Sequence, residues 1–235
     1  MNTVGWLNAQ SNWATVPSFW PAPILVGIER VVSEDPMSWL KPLIACLVLT
    51  GCATHWSTDY AAPLDAEVTR TWHVHEVDVL IPEKLTVSDE NLLMPPADIV
   101  WHGDPDGDRR AQVSAILNDG IAAGTTGLVG DRPVKLEVVL REFHGVTPIA
   151  MVNAPSAVYN IHYSIRAVDA DTGAALTEPA EVDADLAAHV GADLITASLE
   201  GSDEKSRLRE HLAEVTAGWL GIGPDPREEF TSVGR

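Results

Sequence analysis

Val134-Lys135-Leu136-Glu137-Val138-Val139-Leu140-Arg141 reads as a strand with two unlike faces. Val134, Leu136, Val138 and Leu140 fall on one side, Lys135, Glu137, Val139 and Arg141 on the other. A period of two marks a sheet with one buried face and one wet face. Asp131-Arg132-Pro133 leads into this strand, and a loop-like segment with Pro148 and Pro155 follows it over residues 144–156. The alternation then returns: Tyr159, Ile161, Tyr163, Ile165 and Ala167 oppose Asn160, His162, Ser164 and Arg166. Asp169-Ala170-Asp171-Thr172-Gly173 has the composition of a hairpin turn, with Gly173 supplying a positive φ. Ala175 to Leu186 is expected to run back as a further strand, interrupted near Pro179.

Upstream, Val68 to Ile81 is a long strand candidate. Its alternation sets Thr71, His73, His75, Val77, Val79 and Ile81 against Trp72, Val74, Glu76, Asp78 and Leu80. Lys84 to Val87 and Ile99-Val100-Trp101 suggest shorter edge pieces. Between these strands and Val134 lies a helix signature. Asp108 is placed to cap the first turn, and Val113, Ile116, Leu117 and Ile121 recur at i, i+3, i+4 and i+8. Gly124 fits its C-terminus. Downstream, Gly191 to Gly201 suggests a short helix. Asp203 to Leu220 suggests a longer one, striped by Leu208, Leu212, Val215 and Trp219 and stopped by Gly221, with Ser202 as its cap. The order strand, helix, three-strand meander, helix predicts an α+β fold: an antiparallel sheet with two main helices packed on one face.

Ahead of this domain stands Leu47-Val48-Leu49-Thr50-Gly51-Cys52. It resembles a bacterial lipobox, with Leu49 at −3, Gly51 at −1 and Cys52 as the modified residue. Lys41 precedes a short apolar run, Pro42 to Leu49, too short to span a bilayer. The resemblance implies cleavage between Gly51 and Cys52, lipid on Cys52, and sorting read from the +2 residue, Ala53. Alanine there implies the periplasmic leaflet of the outer membrane rather than the inner membrane. Residues 1–36 lack signal character, and Met37 offers a better start. The expected layout is 1–36 a non-native upstream extension, 37–51 a signal peptide, 52–66 a tether, 67–221 a single α+β domain and 222–235 a flexible tail.

Composition narrows the function. The formal net charge is −19, and the part from Cys52 onward keeps 13 basic and 31 acidic residues. So acidic a body is a poor match for nucleic acid, whose binding depends on Lys and Arg meeting phosphate. Anionic headgroups should repel it too. There are two cysteines, Cys46 in the apolar run and Cys52, so the mature chain would hold no disulfide and no free thiol.

The body also resembles uncharacterised lipoproteins of alphaproteobacteria. Ala97-Asp98-Ile99-Val100-Trp101, Gly103-Asp104-Pro105, Gly107-Asp108-Arg109, Asp131-Arg132-Pro133-Val134 and Phe143-His144 carry that resemblance. It implies a domain of unknown function and brings no catalytic residue or cofactor.

Four local patterns invite chemistry. Asp104, Asp106 and Asp108 have the one-three-five spacing of a calcium loop, but Arg109 and Ala115 occupy the places of its Gly and Glu. His73 and His75 could share a metal on one strand face if His102, His144 or His162 supplied a further ligand. Ser202-Asp203-Glu204-Lys205 fits Ser-x-x-Lys without the companion motifs of penicillin-recognising enzymes. Gly124 to Gly130 is glycine-rich but lacks the Gly-Lys-Ser/Thr of a phosphate loop. The expectation is therefore a lipid-anchored, non-catalytic binding or assembly module, joined to the membrane through Cys52 and to an envelope component. The alternative is a hydrolase or metal-dependent enzyme with a site assembled from scattered His and acidic residues.

Overall fold

The computed structural model describes residues 55–231. The expected extension, the signal peptide, Cys52 and Ala53 lie outside the described residues. Nine strands and five helices are described. They are β1 (His55–Tyr60), α1 (Ala66–Thr69), β2 (Trp72–Leu80), β3 (Val87–Ser88), β4 (Ile99–Val100), α2 (Arg109–Ala123) and β5 (Arg132–His144). Then follow α3 (Pro148–Asn153), β6 (Val158–Asp169), β7 (Ala180–Ala184), β8 (Leu186–Ala187), α4 (Ala192–Leu199), α5 (Glu204–Trp219) and β9 (Glu228–Thr231). The sheet runs β3-β4-β5-β6-β7-β1-β9, with β2 paired to β5 and β8 to β6.

The class is α+β, as expected, but the sheet is mixed. β5, β6 and β7 form the expected antiparallel meander, with Leu136 opposite Ala167 and Tyr163 opposite Val182. β2, however, runs parallel to β5, with Val77 opposite Leu136, and the pairs β3–β4 and β4–β5 are parallel too. The chain leaves β2, passes through α2 and re-enters β5. A crossover carrying a helix is the connection that brings two strands side by side in the same direction.

The alternation of β5 and β6 translates directly into packing. Val134, Leu136, Val138, Leu140 and Phe143 are buried beneath the helices together with Tyr159, Ile161, Tyr163 and Ile165. All four apolar positions of the α2 stripe and all four of the α5 stripe are buried in the same core. Each such side chain contributes about 1.5–3 kcal/mol by leaving water. The two helices touch closely at Gly120, where an added Cβ would stand 2.7 Å from Leu212 Cβ and 3.0 Å from the Arg209 carbonyl. The Asp108 carboxylate accepts from the Ala111 amide at 3.1 Å, capping α2. Asp203, not Ser202, caps α5, accepting from the Ser206 amide at 2.9 Å. Gly221 ends α5 at φ 71°, against the Leu64 carbonyl.

The opposite sheet face is wet and laced with ion pairs. Lys135 meets Asp78 at 2.7 Å, Arg166 meets Glu137 at 2.6 Å and Arg141 meets Glu181 at 3.2 Å. Half-exposed pairs of this kind stabilise little individually.

Four further expectations are corrected. Residues 52–66 are not simply a tether: His55–Tyr60 forms β1, inserted between β7 and β9. The tail is not loose over residues 222–231. Glu228–Thr231 is β9, and Tyr60 donates to Asp225 at 3.1 Å beneath the Arg227 guanidinium. Residues 148–153 are helical, because Thr147 caps them by accepting from the Ala150 amide at 3.2 Å and Pro148 suits a first turn. Finally, the chain turns as α1 before β2 begins at Trp72, and the pairing of β2 with β5 shifts between Val74 and Glu76. That bulge moves the inward side from Trp72 and Val74 to Val77 and Val79 and leaves both His73 and His75 in solvent.

Candidate functional site

The residues singled out for metal chemistry do not converge. His73 and His75 are exposed, with ring centroids 6.3 Å apart in an edge arrangement. The His144 ring reaches the Pro95 carbonyl at 2.9 Å, while His162 lies on β6 beside Asp185. His102 is half-buried, and desolvation followed by the Arg109 charge lowers its pKa below 6.5. Among the described residues, no three His, Cys, Asp or Glu side chains are placed to hold a metal ion.

The acidic loop has an internal cation instead. The Arg109 guanidinium is buried beneath it, with Nε 2.6 Å from Asp89 and Nη2 3.2 Å from Asp106. Its Nη1 donates to the carbonyls of Asp104 and Pro105 and to Gln112. Arg109 stands at the sixth position, the place where the calcium pattern breaks. Its side chain occupies the carbonyl and carboxylate oxygens that a bound ion would need. Asp108 is committed to its cap. Asp104 accepts from the Trp101 indole at 2.8 Å and from Lys205 at 2.6 Å. Burial would raise the Asp104 carboxyl, but these two bonds outweigh it and hold it below the usual range. Lys205 is thereby held by Asp104 rather than by Ser202, and the Ser-x-x-Lys pattern is a helix start tied to the α2 loop.

Two arrangements that the sequence did not reveal remain. The first is a carboxylate node. Asp185, between β7 and β8, is buried and accepts from the amides of Ser57 at 3.1 Å and Ile161 at 3.2 Å. Its backbone carbonyl takes the Thr58 hydroxyl, which also lies 3.4 Å from His211 Nε2. His162 Nε2 lies 3.5 Å from the same carboxylate, with Asp183 and Glu142 nearby. The Asp185 contact raises the His162 pKa against an opposing desolvation, whereas burial lowers that of His211. Desolvation, only partly offset by His162, raises the Asp183 carboxyl.

The second is a groove of about 530 Å³ at the end of the sheet where β1 starts and β9 stops. Val158, Leu186, Ala188 and Phe230 give it apolar walls, and Asp185, His189, Asp193, Arg207 and Glu228 are among its polar ones. His189 and Arg207 are already engaged. Glu204 accepts from Arg207 at 2.7 Å and pairs with His189 Nδ1 at 2.9 Å, and Arg207 also donates to the Ala187 carbonyl. Beneath, the Tyr159 hydroxyl is buried with no hydrogen bond of good geometry. Burial first, and the neighbouring Glu204 carboxylate second, push its ionisation far above the usual range. Ser156 also lines the groove, while the His189 ring is turned to Glu204. The groove is a volume of ligand size with a mixed lining.

A family model covering residues 72–235 matches this sequence. The chain belongs to DUF6778, a family of unknown function. No curated protein is similar to it in sequence. Several solved structures resemble this DUF6778 chain weakly, three of them as follows. One is a lipoprotein candidate of Caulobacter crescentus CB15, 19% identical, covering 46% of this chain and 83% of its own, at a TM-score of 0.31. Another is a dodecameric PelC variant of Paraburkholderia phytofirmans, 12% identical over 70% of this chain and 95% of that one, at 0.35. The third is a Xanthomonas campestris protein of family DUF330, 14% identical over 68% and 88%, at 0.39.

Proposed function

We propose that this protein is a lipid-anchored envelope lipoprotein whose α+β domain serves as a non-catalytic binding or assembly module. The observation that carries the reading is Leu49-Thr50-Gly51-Cys52 behind a Lys-led apolar run, standing three residues ahead of the first strand. A signal cut at Cys52 removes nothing from the domain. In this reading attachment falls to the lipid; among the described residues no helix is long and apolar enough to cross a membrane. Diacylglycerol on the Cys52 sulfur and an acyl chain on its amino group bury many methylenes at about 0.8 kcal/mol each, which holds a protein on a bilayer stably. Ala53 at +2 assigns it to the periplasmic leaflet of the outer membrane. Two features support the non-catalytic reading: the groove's His189 and Arg207 both pair with Glu204, and Arg109 fills the acidic loop.

Fractionation and intact mass of the mature protein test this. The wild type should begin at Cys52, carry lipid and sediment with outer membrane. Cys52→Ser should persist as unprocessed precursor, and Ala53→Asp should shift the protein toward the inner membrane. A wild-type protein without lipid in the soluble fraction would refute the proposal.

A further inference from the structure

The β-sheet has two ends, and they differ. At one end stand the 169–173 hairpin and the turn after α5. At the other, β1 begins at His55, opposite Thr231 of β9. The register carries that level across the sheet, because Thr58 pairs with Ala184 and Tyr159 with Leu186. The ends of β5 and β4, His144 and Val100, lie at the same end. Three connections emerge there: the loop after β3, α3 between β5 and β6, and α4 after β8. Hydrogen bonds stitch them together. Thr147 donates to the Leu92 carbonyl, the Ile149 amide to Asn91, and the Gly191 amide to the Met151 carbonyl.

These three connections carry bare apolar side chains. Leu93 is 61% exposed, Met94 78%, Val152 69% and Leu199 84%. Ile149 and Val152 are three apart on α3, and Ile195 and Leu199 four apart on α4, so each pair shares a helix face. A cluster of exposed apolar groups at one end of an otherwise acidic domain marks a contact surface.

The occupant follows from the chain that precedes His55. Only Ala53 and Thr54 separate it from Cys52, and three residue steps span at most about 10 Å. We infer that this end of the domain lies on the bilayer, with the side chains of the 91–94 loop, α3 and α4 dipping into the interface as a second, protein-borne membrane contact. The inference rests on the lipid-anchor reading of Cys52. Asp89, Glu90, Asp193 and Glu200 flank the apolar groups, so the lipid they suit is zwitterionic rather than anionic. The groove beside Phe230 and Thr231 then opens close to the headgroups.

The test uses the full chain, expressed where lipoproteins are processed and reconstituted into phosphatidylcholine vesicles. The mature wild type has no free thiol, so Val152→Cys and Leu93→Cys each offer a single exposed site for an environment-sensitive fluorophore. Thr172→Cys labels the opposite end. The dye at 152 and at 93 should shift to the blue and be quenched by spin-labelled lipid, while the dye at 172 should do neither. Vesicles rich in anionic lipid should reduce the quenching. A lipidated, vesicle-bound protein whose dyes at 152 and 93 are not quenched overturns this contact and leaves the anchor standing. A blue shift that spin-labelled lipid leaves alone and dilution removes assigns the surface to a second copy and overturns it too. A mature protein of unlipidated mass fails the anchor reading and this inference together.

Discussion

The Asp185 carboxylate accepts the Ser57 backbone amide at 3.1 Å, joining β1 to a position 128 residues later in the chain. The same carboxylate takes the Ile161 amide from β6. β7 lies between β6 and β1 and ends at Ala184, one residue before Asp185. A side chain therefore supplies the acceptors that the ladder stops providing, so that one buried and one half-buried donor escape being orphaned.

Removing that side chain should be costly. Asp185→Ala leaves the two amides without a partner, at about 1–3 kcal/mol for each unsatisfied group. A loss on the order of 2–5 kcal/mol is expected, read as a lower midpoint in urea at unchanged slope. Asp185→Asn keeps one oxygen and should fall between that variant and the wild type. An Asp185→Ala midpoint equal to that of the wild type would show that water replaces the carboxylate freely.

The same node sets a pH dependence. The Asp185 contact raises the folded pKa of His162 above 6.5. A raised pKa means that the folded state holds the proton more tightly. The stabilisation is complete below the unfolded value, near 6.5, and is lost as pH rises through the folded one. His211 works in the opposite direction: burial lowers its pKa, so stability is lost as pH falls below 6.5 toward the folded value. His162→Asn should leave only the second effect among this pair. Its stability deficit relative to wild type should be smallest near pH ~8 and widen toward pH ~6. Urea titrations of both proteins across that interval measure it, and a deficit independent of pH would mean that His162 stays neutral throughout.

How far the sequence reaches depends on which physical signal an element carries. β5, β6, α2 and α5 could be read because each has one wholly buried face, and burial imposes a period on the residue types. The cap at Asp108 could be read for a similarly local reason. The direction of β2 could not, because a strand's residues show which faces are buried and say little about the sense of its neighbour. The bulge at His75 is equally silent: it inserts one residue and reverses the faces without any glycine or proline to announce it. β1 carries no such signal, because His55-Trp56-Ser57-Thr58-Asp59-Tyr60 is polar and its inward residues are a threonine and a tyrosine. At the site, Arg109 was visible as a misfit in a calcium pattern, yet only its buried position shows that it fills the loop. Asp185 gave no signal, since its role lies in acceptors for amides far away in the chain.

The reassignment of β1 from tether to strand yields a prediction with opposite outcomes for the two descriptions. A tether tolerates shortening. A strand between β7 and β9 does not, because β9 pairs with β1 and reaches the sheet through it. Thr58 and Tyr60 are buried, Ser57 feeds Asp185, and the Tyr60 hydroxyl holds Asp225. The burial of Tyr60, reinforced by Asp225, pushes its phenol up to about 12, so the group stays a neutral donor across the physiological range. Deleting residues 55–60 should therefore bare the β7 edge, strand the Asp185 carboxylate and release β9. Bared strand edges invite pairing with other chains, so the deletion protein should aggregate or lose its cooperative thermal transition. Inserting a Gly-Ser segment of similar length between Thr54 and His55 lengthens the lead without touching any of these contacts, and should leave the melting temperature unchanged. Melting curves of the two variants beside the wild type decide between the descriptions. Equal, cooperative transitions in all three would return residues 55–60 to the tether.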